Sequence, residues 1–319
     1  MIQPPPVPGT YIMRLGQNAE QYIIFDSLIF DGNNKVVGNV VLEGYPPCCT
    51  TGPHHIRFVN CEFRNTTGEI VVGHTWNDEF IGGSVHDNGD NTGFRHGLNI
   101  GDVADILVDG MKIYNNMGYG VHIYHSGTGP DGSVRVTVRN NVVYNNGTAT
   151  GQCGILYAGA SDSLVYNNVV YNNGSGSNGC GIAIGRAGLA NNIGVYNNTV
   201  TGNAGSPGGI YIQSGSGNII RDNIIWNNQP ADYYDFGTSA TADHNLIGIN
   251  PRFVNEAGHD YHLQAGSPAI DAGVAIIDVT TDIVGTRRPQ GCCYDLGAYE
   301  YQSLQFPAPK NFSIMHGTN

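Results

Sequence analysis

The chain carries 14 Lys and Arg against 26 Asp and Glu, a net charge of -12 over 319 residues. That balance argues against general nucleic-acid binding, which needs a basic face. No stretch reaches the roughly 20 apolar residues of a membrane-spanning helix, so a soluble protein with no membrane partner is expected. With 46 Gly, abundant Asn, 13% charged residues and a Val- and Ile-rich 40% hydrophobic fraction, the composition is that of an all-β chain with many turns.

Taken in chain order, the opening MIQPPPVPGTY lacks the basic start and apolar core of a signal peptide. Seven Cys nevertheless favour disulfides in an exported protein, secreted or on the cell surface. The expectation is therefore a mature region without its leader. The adjacent pairs Cys48-Cys49 and Cys292-Cys293 do not have zinc-ribbon spacing, and the disulfide pairing does not follow from spacing. Irregular strand–turn units run over 22–44, 55–74 and 79–102. A regular repeat follows: NNMGYGVHI, NNGTATGQCGILY, NNGSGSNGCGIAI and TGNAGSPGGIYI. The Gly opening one strand of each unit falls at Gly97, Gly120, Gly154, Gly181 and Gly209, at spacings of 23, 34, 27 and 28 residues. A second register agrees, in VRNNVVYNN (138–146), VYNNVVYNN (165–173), VYNNTVTGN (195–203) and IRDNIIWNN (220–228).

Three short strands per unit at this period predict a parallel β-helix of stacked rungs over 1–245. The extra length between Gly120 and Gly154 is a Gly/Pro loop (126–133), expected to wall a cleft. Residues 246–303 no longer repeat and read as a C-terminal cap over the last open rung. Residues 304–319 read as a tail. All three belong to one domain, expected to be a monomer.

Alternation along each strand sends Leu98, Val121, Ile155, Ile182 and Ile210 inward, with Ile100, Ile123, Tyr157, Ile184 and Ile212. The outward row is then Asn99, His122, Leu156, Ala183, Tyr211. The next is Gly101, Tyr124, Ala158, Gly185, Gln213, and the strand ends are His74, Asp102, His125, Gly159, Arg186. At a spacing of about 4.8 Å between rungs, His74, Asn99, Asp102, His122, Tyr124 and His125 should share one patch. Arg95, His96 and Tyr119 approach from the preceding turn, and the small residues beyond should leave an open groove for an extended substrate. His54, His55, His86, His244, His259 and His262 fall in turns or the cap and are read as structural. The Asn pairs are read as turn ladders, and Cys153 with Cys180 as a stacked pair or a disulfide.

The rungs resemble the right-handed parallel β-helix superfamily of pectate-lyase-like proteins. The element SPAIDAG, then D-x-x-G-x-x-R and YDLGAYEY, is similar to the C-terminal end of many secreted bacterial β-helix proteins. The resemblance spans nearly the whole chain and implies fold more than chemistry, since the superfamily holds lyases, hydrolases, epimerases, tailspikes and adhesins. YGVHIYH (119–125) looks like the Tyr/His-bearing catalytic strand of alginate epimerases and related lyases, which carry Asp where His122 stands.

A uronan lyase needs a base for the C5 proton, donors for the carboxylate-enolate and an acid for the departing O4. His122 or His125 suits the base and Tyr124 the acid, with His96 and Arg95 completing the catalytic set. Asn99 and Arg95 could hold the substrate carboxylate. His74, Asn99, Asp102, Tyr119, Arg186 and Tyr211 are the expected binding residues for an extended polysaccharide. Hydrolysis needs two carboxylates, and Asp102 stands almost alone on these rows, with Glu43 and Asp78 as less well aligned partners. A uronan C5-epimerase is a further alternative on the same scaffold.

No cofactor is expected. Calcium would need more clustered carboxylates, and His74, Asp102 and His125 form a subsidiary transition-metal set whose outer members should lie nearly 10 Å apart. The non-enzymatic alternative is a glycan-binding adhesin or tailspike using Trp76, Trp226, Tyr211 and Tyr233–Tyr234 as platforms.

Overall fold

The computed structural model describes residues 11–16, 20–34, 38–45, 49–92, 94–127, 132–149, 151–175 and 178–302. Position 48, the loop tip 128–131 and the expected tail at 304–319 lie outside the described residues. Three parallel sheets of nine strands each wind into nine rungs. The first sheet runs from Tyr11–Leu15 to Ala231–Asp235, the second from Gln21–Asp26 to Thr241–Asp243, and the third from Ile29–Asp31 to Leu246–Ile247. No helix of the described residues is long and apolar enough to cross a membrane.

The expected register is observed. Leu98, Val121, Ile155, Ile182 and Ile210 stack in one column, and each is at most 1% exposed. The early rungs fill the core with stacked rings, Phe25 on Phe58 at 5.0 Å and Phe58 on Phe80 at 5.1 Å. Later rungs use Val and Ile, whose β-branched side chains suit a pleated, two-sided surface. Tyr157 is the inward polar exception, and its hydroxyl donates to the Leu164 carbonyl at 2.9 Å.

The asparagine pairs divide their work. The first Asn of a pair takes the left-handed conformation that turns the chain, as at Asn115 (φ 54°), Asn145 (φ 53°) and Asn172 (φ 52°). The second points inward and forms a ladder from Asn88 through Asn116, Asn146, Asn173 and Asn203 to Asn228, each amide donating to the next Oδ1 at 2.8–3.1 Å. A parallel ladder runs Asn141, Asn168, Asn198, Asn223, Asn245. The repeated Gly abuts the first ladder: a Cβ on Gly154 would stand 2.9 Å from both Asn173 Nδ2 and Val170 Cγ1. Gly and Asn recur together because the amide occupies the space a side chain would take.

The non-repeating segment does more than close the last rung. After a hairpin of Phe253–Asn255 and Asp260–Leu263, it turns back along the flank. Phe253, Tyr261, Leu263, Ala269, Leu296 and Ala298 cover Val169, Tyr171 and Ile224 on the outer face of the third sheet. Ile276 and Val279 cover Tyr166 on the second.

Candidate active site

The first sheet places the site. Strands Ile70–Gly73, Leu98–Gly101, Val121–Tyr124 and Ile155–Ala158 lie side by side, with Asn99 opposite His122 and Gly101 opposite Tyr124. His122 is half-buried, its ring among three others: His96 edge-on at 4.7 Å, Tyr119 at 5.0 Å and Tyr124 stacked at 5.1 Å. Tyr124 leans over the preceding rung, where a Cβ on Gly101 would come within 2.4 Å of its ring. The absence of a side chain there makes room for the phenol.

This crowding sets protonation. Burial pushes His122 down to about 4. Burial, then the neighbouring His122 and Arg95, pushes His96 down to about 2. Burial, then the nearby carboxylates led by Asp102, raises the Tyr124 phenol, and burial raises Tyr119. At neutral pH the box holds two uncharged imidazoles and two protonated phenols.

A buried carboxylate that the sequence reading missed supports the box. Glu69, 4% exposed, accepts from the His96 N–H at 2.8 Å and from Arg95 Nη1 at 3.3 Å. On the neighbouring strand, the Asn99 Oδ1 lies 3.1 Å from His122 Nδ1. Burial raises the Glu69 carboxyl against the His96 and Arg95 donors. Arg95 thus reaches the site already paired to Glu69. The missed signal was positional, since pairing Ile70 with Leu98 puts Glu69 in the column where the later rungs carry the repeat Gly.

A second cluster stands at the strand ends. Asp102 Oδ1 lies 2.6 Å from His125 Nδ1, and the Ser126 N–H and hydroxyl both donate to the same carboxylate. Burial works to raise Asp102, but the hydrogen bonds from Ser126 and His125 outweigh it and hold the carboxyl below its ordinary value. His74 Nε2 lies 3.7 Å from Asp102 Oδ2, buried and with no hydrogen-bond partner. His74 and His125, read from the sequence as too far apart to share one ion, both face the Asp102 carboxylate. That carboxylate is already taken by hydrogen-bond donors, and no group of three or more His, Cys, Asp or Glu among the described residues is arranged to hold a metal ion.

Two further expectations change. No open groove runs over Leu156 and Ala183; they are 2% and 0% exposed, in an apolar cluster with Tyr211 and the disulfide Cys153–Cys180, flanked by Tyr119 and Tyr124. Tyr211 is 7% exposed and three rungs beyond His122, packed on Phe236, so it does not join the binding patch. Arg186 is tied to the Asn178 carbonyl at 2.7 Å, near enough to Tyr119 and Tyr211 for its charge to oppose the effect of burial on both phenols. The open space lies one step along the rung. A concavity of about 370 Å³ begins at His125 and runs past Ala158, Gly159, Ala187 and Gly188.

Residues 21–170 and 131–250 match the family model for the right handed beta helix region, and the chain belongs to that family. No curated protein matches the sequence significantly. Among solved structures, the pectate lyase Pel9A is similar over 94% of this chain and 86% of that chain, with a TM-score of 0.59 and 14% identity. The A-module of the Azotobacter vinelandii mannuronan C-5 epimerase AlgE4 is similar over 76% of each chain, with a TM-score of 0.47 and 16% identity. At such identities the likeness is one of fold, a pectate-lyase-like parallel β-helix.

Proposed function

We propose that this chain is an exported enzyme that cleaves a uronic-acid-containing polysaccharide by β-elimination. The observation that carries the reading is the neutral imidazole of His122 stacked on the protonated phenol of Tyr124, on the outer face of a rigid sheet. An imidazole with its pKa near 4 holds a lone pair throughout the neutral range and takes the C5 proton. A phenol with a raised pKa keeps its proton until an alkoxide leaves at O4, and then gives it up. As the C5–H bond breaks, its electron pair forms the C4–C5 double bond and expels O4.

His96, neutral and with Nδ1 accepting from the Tyr119 N–H at 3.2 Å, offers an Nε2–H donor to the developing carboxylate-enolate. Arg95 supplies positive charge beside it. Asp102 fixes the His125 ring at the mouth of the concavity, where the polymer would continue. Pectate lyase among the structures of similar fold is consistent with this class of substrate.

The test is incubation with a panel of uronans while following the absorbance of a new C4–C5 double bond. Unsaturated products from at least one are expected, together with a loss of about 10²-fold or more in kcat for His122→Ala. Full activity in both His122→Ala and Tyr124→Phe would overturn the site. Reducing ends without that absorbance would assign hydrolysis, and binding without products would assign an adhesin.

A further inference from the structure

In an extended chain successive side chains point to opposite faces, so adjacent cysteines ordinarily hold their sulfurs apart. Cys292 and Cys293 do the reverse. The chain bends through 290–293 and brings the two Sγ atoms to 3.3 Å. Both are free thiols, Cys292 exposed and Cys293 half-buried.

The bend is imposed from both sides. Before it, Arg288 is buried against Glu300 Oε2, and Glu300 Oε1 accepts from the Gln290 N–H at 2.9 Å. Within it, Gly291 lies against Asp271, where a Cβ would come within 2.1 Å of Oδ1. The same oxygen accepts from the Cys293 N–H at 3.1 Å. After it, the Tyr294 carbonyl accepts from the Gly273 N–H at 2.8 Å. Backbone contacts on each side thus hold the two thiols converged.

We propose that Cys292 and Cys293 are a modification site, closed into a disulfide between neighbours by exchange with a low-molecular-weight disulfide and reopened by thiols. One thiolate attacks a sulfur of the incoming disulfide, forms a mixed disulfide and releases one thiol. The adjacent thiolate then attacks the protein sulfur of that mixed disulfide and releases the second thiol. The cysteines give up two electrons and two protons, and the small disulfide becomes two thiols. A concavity of about 510 Å³, lined by Asp271, Gln290, Gly291 and Tyr301, gives the departing group room beside the loop.

Consecutive Cα atoms stand about 3.8 Å apart across a trans peptide, short of the roughly 4.4 Å at which ordinary disulfides begin. The ring is therefore tight, and a tight ring reopens readily. Cys153–Cys180 contrasts with it, fully buried in an apolar cluster and shielded from reductants. The Cys292 thiol is pushed up to about 11, first by its hydrogen bond with Cys293, with the Asp271 carboxylate adding to it. Ring closure should therefore quicken as the pH rises.

The test starts from the full chain treated with dilute dithiothreitol, then incubated with excess oxidised glutathione at about pH 8.5, the ordinary cysteine pKa. Alkylation, intact mass and peptide mapping read the outcome. Wild type is expected to lose both thiols together: neither residue alkylates, their peptide is lighter by two hydrogens, and no glutathione remains. Dithiothreitol should restore both at a concentration at least about tenfold below that which opens Cys153–Cys180. In Cys292→Ser and in Cys293→Ser no neighbour resolves the mixed disulfide, so glutathione should stay on the remaining cysteine. A stable glutathione adduct on wild type, two alkylated thiols, or a disulfide between two copies of the chain overturns the proposal. So does a pair that reopens only together with Cys153–Cys180. None of these outcomes depends on whether a uronan is cleaved.

Discussion

At the scale of single residues, burial sets the protonation of two groups. His122, pushed down to about 4, should keep its basic form far below the ordinary titration of histidine. The acidic limb of kcat/KM for uronan cleavage is therefore expected near pH 4; a limb near 6.5 would mean that the base is another residue. Asp78 is the opposite case. Fully buried, it is pushed up to about 7 by burial, against hydrogen bonds from Thr75 and from the Ile56 N–H at 2.8 Å. The Thr75 hydroxyl faces both the Pro53 carbonyl and Asp78 Oδ2, and one hydrogen cannot serve both fully. A protonated Asp78 donating to Thr75 resolves the pair.

A carboxyl whose folded pKa is raised contributes stability below its unfolded value that is lost as the pH rises through the folded one. Wild-type stability should therefore decline between about pH 4 and pH 7 by roughly 3–4 kcal/mol from this group alone. Asp78→Asn keeps an acceptor for Ile56 and a donor for Thr75. Its melting temperature should exceed wild type above pH 7, and the gap should close below pH 4.

At the scale of the element, the turn pairs make unequal demands. Asn172→Ala places a Cβ-bearing residue in a left-handed turn and should cost about 1–2 kcal/mol. Asn173→Ala strips the Val143 and Tyr171 carbonyls and the Asn146 amide of partners inside the core. At about 1–3 kcal/mol for each unsatisfied group, a loss above about 3 kcal/mol is expected, visible as a lower urea midpoint.

This inequality also explains what could be read in advance. Asn, Gly and alternating Val or Ile recur at fixed offsets, so the rungs, the inward columns and the pairing of Asn99 with His122 and of Gly101 with Tyr124 were legible from spacing. Exposure was not. Leu156 and Ala183 look like open floor in a linear sequence, yet Tyr211 and the Cys153–Cys180 bridge pack with them and Tyr119 and Tyr124 flank them. Glu69 was illegible for a related reason: the recurring Gly first stands at Gly97, one rung after the column's carboxylate.

At the scale of the molecule, the returning C-terminal segment is organised around a buried cation. Arg288 pairs with Glu300, both side chains fully buried, and donates to the Asp295 and Gly297 carbonyls and to Asn167 of the rungs. Truncating one member of such a pair strands the other, at about 3–5 kcal/mol. Arg288→Ala is expected to free the segment from the flank, so that limited proteolysis cuts within 265–300 while the rungs persist. Equal resistance to wild type would mean that the apolar contacts and the remaining hydrogen bonds to the rungs hold it.

The amide ladder from Asn88 to Asn228 carries one more implication. Every amide in it donates in the same direction along the axis, and each rung completes its polar contacts through the rung beyond. A duplicated rung therefore arrives with both halves of the joint it needs, a donor for one side and an acceptor for the other. Such a molecule can grow by copying its middle, and an Asn-for-Asn splice would change the length of the scaffold.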